Sequence, residues 1–370
     1  IIMPTGSGKT VVALKIFEML GISTLVVAPV RDLMYQWHQR IYSHFGIDAG
    51  IIGDNTFDLR PVSCTTYHSA FIHMDKLGDK FGLIVFDECH HLPGVSRREA
   101  ALMSAAPYRI GLTATMERSD SLEKDLPSLI GPVQYRISIG ALEGSALSEY
   151  DIFRIPVALN EPEQAGYNKA TATIRAYIMT RLEELKQQGL PAKYTWQDLV
   201  TESGKDPEAR KAQQAYYLKQ SIEDRASEKI RVLEDLMRLH AGQPVIIFAG
   251  SNVMARELSL RFLIPCILSH SKKRERRLYL DGLTSGRFHA LVANQVLDEG
   301  IDIPVVKVAV VLGGESSSRQ AKQRLGRILR KSGTSRGILY EVVCRDTGEV
   351  KRSRKRRRSD AYQRTRHRKI

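Results

Sequence analysis

The chain has 370 residues, and its 43% hydrophobic and 26% charged residues are typical of a globular protein rather than a disordered or fibrous one. No apolar run approaches the roughly 20 residues that a membrane span needs, and no signal-peptide pattern is present, so we expect no membrane partner. The formal net charge of +14 is concentrated in a basic tail, because 11 of the residues from 351 to 370 are Lys or Arg.

The chain contains 4 cysteines, which are scattered and form no C-x-x-C pair. This usage is typical of a reducing compartment and argues against a disulfide framework or a zinc ribbon. The chemistry of the chain must therefore be sought in other residue types.

The first motif lies in residues 4–10, which read PTGSGKT and precede an amphipathic pattern for a helix over 11–20. Glycines allow backbone N–H groups to converge on phosphate oxygens, and the start of a helix adds the positive end of its dipole. Lys9 is expected to reach the β and γ phosphates of a nucleotide, and the hydroxyl of Thr10 to bind Mg²⁺. The full pattern has glycine where this chain has Met3, so a chance glycine-rich turn is the alternative. The predicted nucleotide-binding residues of this loop are Gly6, Ser7, Gly8, Lys9 and Thr10.

A phosphate-binding loop of this kind normally follows a strand. Only Ile1, Ile2 and Met3 remain to form that strand here. We therefore expect the chain to be a fragment whose true N-terminus is missing.

Beyond the loop, short apolar runs alternate with helical patterns to about residue 140. Strands are predicted over 24–28, 83–86 and 110–113, and a second helix over 33–45. This alternation predicts a parallel sheet covered on both faces.

A pair of carboxylates, Asp87 and Glu88, follows the apolar run 83–86. The end of a strand at the edge of an α/β crevice is where ligands bind. We expect Asp87 to hold Mg²⁺ through water and Glu88 to position and deprotonate the attacking water, an acidic turn being the alternative. The next residues, 89–91, read CHH, and adjacent side chains cannot easily converge on one metal ion. A structural or coupling histidine is therefore favoured over a metal site.

The middle of the chain, from about 160 to 225, is polar and helical in pattern and predicts a helical insertion. Strand and helix patterns return after about 228, so the fold class is α/β with a second parallel-sheet unit. The strands predicted there are 245–248, 267–268, 290–292, 308–311 and 338–340. The predicted domains are 1–145, an insertion with its linker over 146–227, a second domain over 228–345, and a basic, disordered tail over 346–370.

The last motif, in residues 323–330, reads QRLGRILR and repeats arginine every three residues. An arginine delivered to the γ phosphate stabilises transition-state charge and can contribute a factor of about 10³–10⁵ in rate. Arg327 and Arg330 are the candidates, with Gln323 sensing the nucleotide, and a basic surface helix is the alternative. Because these residues lie far from Lys9 in sequence, we expect ATP to sit between the two domains.

On these motifs the chain resembles the superfamily 2 helicases, and within them the XPB branch, over its whole length except the tail. The resemblance extends to residues 28–33 and 36–37, 65–67, 113–115 and 298–302, and QRLGRILR has the form typical of this branch. It implies two RecA-like domains in tandem with a helical, thumb-like insertion between them, and the use of ATP with Mg²⁺.

The same resemblance implies roles for individual residues. It implies DNA contact by Arg31, Thr65, Thr66, Arg118, Asn294, Asp298 and Gly300, nucleotide contact by Asp302, and coupling of hydrolysis to strand movement by His90, Thr113 and Thr115. XPB proteins carry Arg-Glu-Asp after the Thr-Ala-Thr element, whereas this chain has Arg-Ser-Asp over 118–120. The motif that recognises adenine is not found upstream, so ATP is inferred from the family.

The function implied is an ATP-dependent, 3′–5′ DNA helicase or translocase in DNA repair, acting on DNA without sequence preference. We expect a monomer, with a nuclease or a repair complex as a further partner, in the cytoplasm with the nucleoid or in the nucleus. One alternative is a duplex translocase that drives a remodelling or restriction assembly without separating strands. Another is a nucleic-acid-binding module with an inactive ATPase. The basic tail is interpreted as a general phosphate-binding segment, with a nuclear address or an unstructured end as alternatives.

Overall fold

A computed structural model describes the chain over residues 1–116, 120–142, 149–268, 270–294, 306–313 and 336–357. Within these ranges the strands form two sheets of six strands each. The pairings between strands are parallel except for one antiparallel pair at an edge of the first sheet.

The first sheet is built from β1 (Thr24–Ala28), β2 (Gly50–Gly53), β3 (Thr56–Phe57), β4 (Val62–Thr66), β5 (Leu83–Asp87) and β6 (Tyr108–Leu112). The order across it is β3-β2-β4-β1-β5-β6. Strands β1, β4 and β5 are buried along their whole length. Burial on both faces is what a parallel sheet covered by helices requires.

The helices of the first half are α1 (Lys9–Leu20), α2 (Arg31–Phe45), α3 (Tyr67–Leu77) and the single turns α4 (Glu99–Leu102), α5 (Leu126–Leu129) and α6 (Ile139–Leu142). Helix α1 ends at Gly21, whose φ of 60° is in the left-handed region that glycine adopts freely. Helix α2 turns Met34, Trp37 and Ile41 into the core, as its sequence pattern predicts.

The predicted strands 24–28 and 83–86 are confirmed as β1 and β5, and the strand predicted over 110–113 is β6, shifted toward the N-terminus. Strands β2, β3 and β4 were not predicted. Strand β4 reads VSCTT, so its burial does not show as an apolar run.

The segment before the phosphate-binding loop is extended and pairs with the chain beyond β6. The Met3 N–H donates to the Thr113 carbonyl at 3.0 Å, and the Thr113 N–H donates to the Ile1 carbonyl at 3.1 Å. On its other side the Ile2 N–H donates to the Tyr135 carbonyl at 2.8 Å. The loop therefore leaves from an extended segment that lies beside β6.

The middle of the chain contains α7 (Glu161–Gln187), α8 (Trp196–Ser203) and α9 (Pro207–Arg225), followed by α10 (Ser227–Leu239). Helices α7 to α9 confirm the helical character predicted for the insertion. The Tyr177 and Tyr194 hydroxyls both donate to Glu202, at 2.8 and 2.7 Å, so these tyrosines serve packing within the insertion. None of the helices in the described residues combines the length and apolar character needed to cross a membrane.

The second sheet is built from β7 (Tyr150–Val157), β8 (Val245–Phe248), β9 (Cys266–Ile267), β10 (Ala290–Ala293), β11 (Val308–Val311) and β12 (Gly337–Cys344). The order across it is β7-β12-β11-β8-β10-β9, and it packs with α11 (Asn252–Phe262) and α12 (Lys273–Thr284). The five strands predicted for this unit are therefore present, with β12 longer than predicted.

Strand β7 corrects the prediction of a linker that begins at residue 146. All eight of its residues pair in parallel with β12, from Tyr150 opposite Gly337 to Val157 opposite Cys344. Its sequence, YDIFRIPV, contains Asp151, Arg154 and Pro156, which interrupt an apolar pattern. An edge strand tolerates proline, because one side of its backbone has no ladder to donate to.

The tail predicted as disordered over 346–370 is also partly wrong, because α13 (Gly348–Arg357) is a helix. Its inner face is polar but buried: Glu349 and Ser353 are 1% and 0% exposed. Glu349 accepts from Lys229 at 2.8 Å, and Ser353 donates to the buried Glu341 at 2.8 Å. The segment is highly charged, but the polar groups on its inner face are buried and have hydrogen-bond partners there. Residues 358–370 lie outside the described residues.

The ion pair between Lys229 and Glu349 leads to a stability prediction. Both side chains are buried, and removing one partner of a buried pair costs about 3–5 kcal/mol because the other charge is left uncompensated. We expect Glu349→Ala to lower the free energy of unfolding by about that amount in chemical denaturation. Lys351→Ala, on the exposed side of the same helix, should change it by less than about 0.5 kcal/mol. Equal effects of the two substitutions would contradict this assignment.

Candidate nucleotide site

The loop over residues 4–10 has the backbone geometry of a phosphate cradle. Gly6 and Gly8 have φ values of 81° and 92°, which are strained for residues with a Cβ. Gly8 is the residue that caps α1, so the first N–H groups of the helix, which have no intrahelical partner, open directly onto this loop. Such a helix start favours an anionic ligand.

The side chains of the loop are held by its own carbonyl groups. The Lys9 ammonium donates to the carbonyls of Met3 and Pro4 at 3.1 and 3.2 Å, and the Ser7 hydroxyl donates to Pro4 at 2.6 Å. The Lys9 ammonium is therefore held by neutral acceptors at the start of the loop. Phosphate oxygens are stronger acceptors for an ammonium group than carbonyls are.

Asp87 is the last residue of β5 and its carboxylate is oriented by two donors. The indole N–H of Trp37 donates to Oδ2 at 2.8 Å, and the Glu88 N–H donates to Oδ1 at 3.0 Å. The backbone carbonyl of Asp87 accepts from the Tyr67 hydroxyl at 3.0 Å. Burial raises the pKa of Tyr67 well above its usual value, so this hydroxyl keeps its proton and remains a donor.

Glu88 adopts a left-handed backbone conformation, with φ 46° and ψ 52°. Such a conformation costs a non-glycine residue about 1–3 kcal/mol and persists only where the surroundings impose it. The single turn Cys89–His91 follows directly. Burial raises the pKa of the Cys89 thiol to about 12, so the thiol stays neutral.

The three predicted coupling residues are brought together in one hydrogen-bonded chain. The Thr113 hydroxyl donates its proton to the Thr115 carbonyl at 2.6 Å. The Thr113 oxygen must therefore accept the hydrogen bond that joins it to His90 Nδ1 at 2.9 Å. This fixes His90 with its proton on Nδ1. The same nitrogen lies 3.4 Å from Glu88 Oε2. The turn that carries Glu88 is therefore tied to the segment after β6.

The oxygens of Thr10 and Asp87 form the donor set predicted for Mg²⁺. A hydroxyl and a carboxylate are the hard oxygen ligands that this ion prefers, so the residues fit it. Among the described residues no group of three or more His, Cys, Asp or Glu is arranged for a metal.

Two residues that contact this donor set were not predicted as site residues. Trp37 was recognised only as part of a motif, and its bond to Asp87 spans 50 positions. Arg40 was not singled out, yet its guanidinium donates to the Thr10 hydroxyl at 2.7 Å. The amphipathic pattern of α2 places the two residues one turn apart on the helix, but no spacing in the sequence identifies their partners.

The predicted DNA contacts in the first sheet differ in exposure. Arg31 is exposed and forms an ion pair with Asp54. Thr65 is fully buried and donates to the Ile52 carbonyl at 2.7 Å, and Thr66 caps α3 by accepting from the Ser69 N–H at 3.2 Å. The hydroxyls of both threonines are engaged inside the first unit, so their contact with DNA stays a prediction that this geometry does not favour.

In the second unit, Asn294 follows β10 and donates to the Asn252 side chain at 2.9 Å. Its contact with DNA also stays a prediction. The predicted residues Arg118, Asp298, Gly300, Asp302, Gln323, Arg327 and Arg330 lie outside the described residues. The meeting of Lys9 with the arginines of the second unit therefore stays a prediction.

Comparison with known protein families gives two matches. A family model described as type III restriction enzyme, res subunit, matches residues 1–118, and one described as ERCC3/RAD25/XPB C-terminal helicase matches residues 209–363. The first match spans the strands of the first sheet, and the second spans those of the second sheet except β7.

The helicase domain of Hef from Pyrococcus furiosus has a similar structure, with a TM-score of 0.61 and 18% identity over 96% of this chain and 94% of that chain. This likeness concerns the fold. It confirms the predicted tandem of two RecA-like domains.

Similarity in sequence to curated relatives identifies the family as well as the fold. The chain is 26% identical over 392 residues to the XPB helicase/translocase subunit of general transcription and DNA repair factor IIH from Antonospora locustae, of which it covers 49%. It is 38% identical over 357 residues to a DNA 3′-5′ translocase XPB2 from Sulfurisphaera tokodaii, covering 96% of this chain and 80% of the relative. The chain therefore belongs to the XPB branch of the superfamily 2 helicases.

Proposed function

We propose that this chain is an ATP-hydrolysing motor that moves 3′–5′ on DNA and acts in DNA repair. The observation that supports it best is the set of contacts that begins at Glu88, whose Oε2 lies 3.4 Å from His90 Nδ1, and continues through hydrogen bonds from His90 to Thr113 and from Thr113 to Thr115. A motor needs such a link, because it joins the proposed catalytic carboxylate to the segment after the neighbouring strand β6. The 3′–5′ direction follows the name of the XPB2 relative, and repair follows that of the factor IIH subunit.

The chemistry is assigned to residues of the first domain. The N–H groups at the start of α1 and the Lys9 ammonium bind the phosphates, and Thr10 with Asp87 holds Mg²⁺. When bound, the ion neutralises charge on the phosphate oxygens. Glu88 accepts the proton of the attacking water, a role worth about 10²–10⁴ in rate. Arg327 and Arg330, with Gln323 beside them, are proposed to complete the site from the second domain and to stabilise the transition-state charge.

Coupling is assigned to the segment after β6. Because His90 bridges the turn of Glu88 to Thr113, a movement of that turn on loss of the γ phosphate is passed to the chain that leads toward Arg118. Contacts with DNA are expected along its phosphate backbone, so binding should be independent of sequence and sensitive to salt. A repair complex is the further partner that we propose.

A second candidate is translocation along duplex DNA without separation of its strands. The relative with 38% identity is named a translocase, which favours this candidate. Displacement of a third strand from a triplex reports translocation, whereas displacement of a paired strand reports unwinding. Activity in the first assay alone would favour the translocase, and activity in both the helicase.

Two substitutions test the catalytic assignment. Glu88→Gln should reduce DNA-stimulated phosphate release by about 10²–10⁴ while nucleotide binding persists, because only the proton acceptor is lost. Lys9→Ala should abolish nucleotide binding as well. Both quantities are measured with a fluorescent ADP and a phosphate sensor.

The matched control for Lys9→Ala is Lys15→Ala, an exposed lysine on the same helix whose partner is Glu18. It should leave both quantities unchanged. Phosphate release by the Glu88→Gln variant at the wild-type rate would contradict the role of this carboxylate.

The coupling chain is tested by Thr113→Val, which keeps the shape of the side chain but removes the acceptor for His90. We expect more ATP to be consumed per triplex strand displaced, while nucleotide affinity stays unchanged. A buried group left without its partner also costs about 1–3 kcal/mol of stability. If stability falls but the ratio of ATP to displaced strand does not change, the hydrogen bond serves only the fold.

The basic tail is proposed to bind DNA phosphates without regard to sequence. Truncation after residue 357 retains α13 and its buried partners, whereas truncation after 350 would remove the buried Ser353. The shorter chain should bind DNA more weakly, and the slope of log affinity against log salt should flatten by about 0.9 for each phosphate that the tail neutralises. DNA-independent ATP hydrolysis should be unchanged. An unaltered salt slope would refute the tail's role.

A further inference from the structure

Helix α2 contacts both of the groups that are assigned to the metal. Trp37 is 2% exposed, and its indole N–H donates to Asp87 Oδ2 at 2.8 Å. A buried indole N–H usually finds an acceptor, and here the acceptor is a carboxylate, for which the bond is charge-assisted. With the Glu88 N–H on Oδ1, both carboxylate oxygens are fixed in direction. An ionised carboxylate offers about four lone-pair sites, so lone pairs remain for a cation.

Arg40 lies three residues further along α2 and acts on the other donor. Its guanidinium donates to the Thr10 hydroxyl oxygen at 2.7 Å. A hydroxyl has two lone pairs, so one remains for a cation while the other accepts from Arg40. The rigid guanidinium thus fixes the rotamer of a hydroxyl that could otherwise rotate.

The helix that supplies these two donors is itself held firmly. Met34, Trp37 and Ile41 are each no more than 2% exposed and pack into the core of the first sheet. Residues three and four apart lie on one face of a helix. One packed helix therefore sets the direction of the Asp87 carboxylate and of the Thr10 hydroxyl at the same time.

We propose that Trp37 and Arg40 are positioning residues for magnesium, which act through Asp87 and Thr10 without touching the ion. This inference rests on the proposed function. Partners of metal ligands that orient them typically contribute a factor of 10–100 in metal affinity. Trp37→Phe keeps a ring but removes the donor, and Arg40→Met keeps the length of the stem but removes the guanidinium.

The test is a titration of Mg²⁺ against binding of a fluorescent ADP, compared with binding of the same ADP in EDTA. In each variant the Mg²⁺ concentration at half effect should rise by about 10–100-fold, while the affinity in EDTA stays near wild type. The unfolding midpoint should stay near wild type in Arg40→Met and fall in Trp37→Phe, which removes a buried donor. Arg40→Lys, which keeps a charged donor, should recover part of the loss. The control is Tyr42→Phe, an exposed aromatic residue on the same helix, which should change nothing.

An unchanged Mg²⁺ dependence in Arg40→Met, or an equal loss of affinity with and without Mg²⁺, would overturn the inference. Because Arg40 is half-buried, its variant tests the inference even if Trp37→Phe does not fold. Failure of the wild-type chain to bind the nucleotide at all would instead overturn the proposed function, so the two failures are distinguishable.

Discussion

The candidate site depends on how the carboxylates at the end of β5 are surrounded by donors. Asp87 is 8% exposed, and a charged group so deeply buried is tolerated only where hydrogen bonds replace water. Its donors come from different parts of the chain: the side chain of Trp37 on α2 and the backbone of Glu88. Tyr67 on α3 holds the backbone carbonyl of the same residue. The first sheet therefore supplies the positions, and the helices on its faces supply the orientation.

The conformation of Glu88 follows from the same constraint. With φ at 46°, its backbone is one that residues with a Cβ seldom adopt. In this conformation its N–H turns back onto the Asp87 carboxylate, and the following turn brings His90 to Thr113. The strained backbone of Glu88 thus supports two contacts, one with the Asp87 carboxylate and one between His90 and the segment after β6. Such strain, stabilised by the surrounding packing, is typical of functional sites.

The parts of this arrangement that depend on local sequence patterns could be predicted from the sequence. The apolar runs of β1 and β5 cannot be stable except as buried strands, and Lys9, Asp87 and Glu88 stand at motif spacings. Strand β4 escaped prediction because Ser63 and Thr65 are buried with their hydroxyls on backbone carbonyls, at 2.8 and 2.7 Å. A hydropathy pattern does not show that a buried hydroxyl has a hydrogen-bond partner.

Contacts between distant parts of the chain could not be predicted from the sequence, for a different reason. The bond from Arg40 to Thr10 spans 30 positions, and no spacing rule in the sequence brings α2 to the start of α1. The same holds for the face of α13, where the sequence shows only a run of charge. Burial of Glu349 became evident only with its partner Lys229, which lies 120 positions away.

The base of the insertion is fastened to the second sheet by a network of this kind. Side chains on Gly250 and Gly313, which follow β8 and β11, would meet the Asp224 carboxylate at 2.4 and 2.5 Å. Only glycine therefore allows the end of α9 to approach these strands so closely. Burial raises the pKa of Asp224 to about 6, so its carboxylate lies in a site that penalises charge.

The residues around Asp224 extend the network to α13. Glu223 accepts from the Tyr167 hydroxyl at 3.1 Å and pairs with Arg352, while the Gly348 N–H donates to the same tyrosine oxygen at 2.8 Å. The start of α7, the end of α9 and α13 thus share buried polar contacts beside the carboxyl ends of β8, β11 and β12. Each of these contacts is costly to break, since a buried polar group would be left without its partner. The base of the insertion and the second sheet are therefore joined by a continuous set of buried polar contacts.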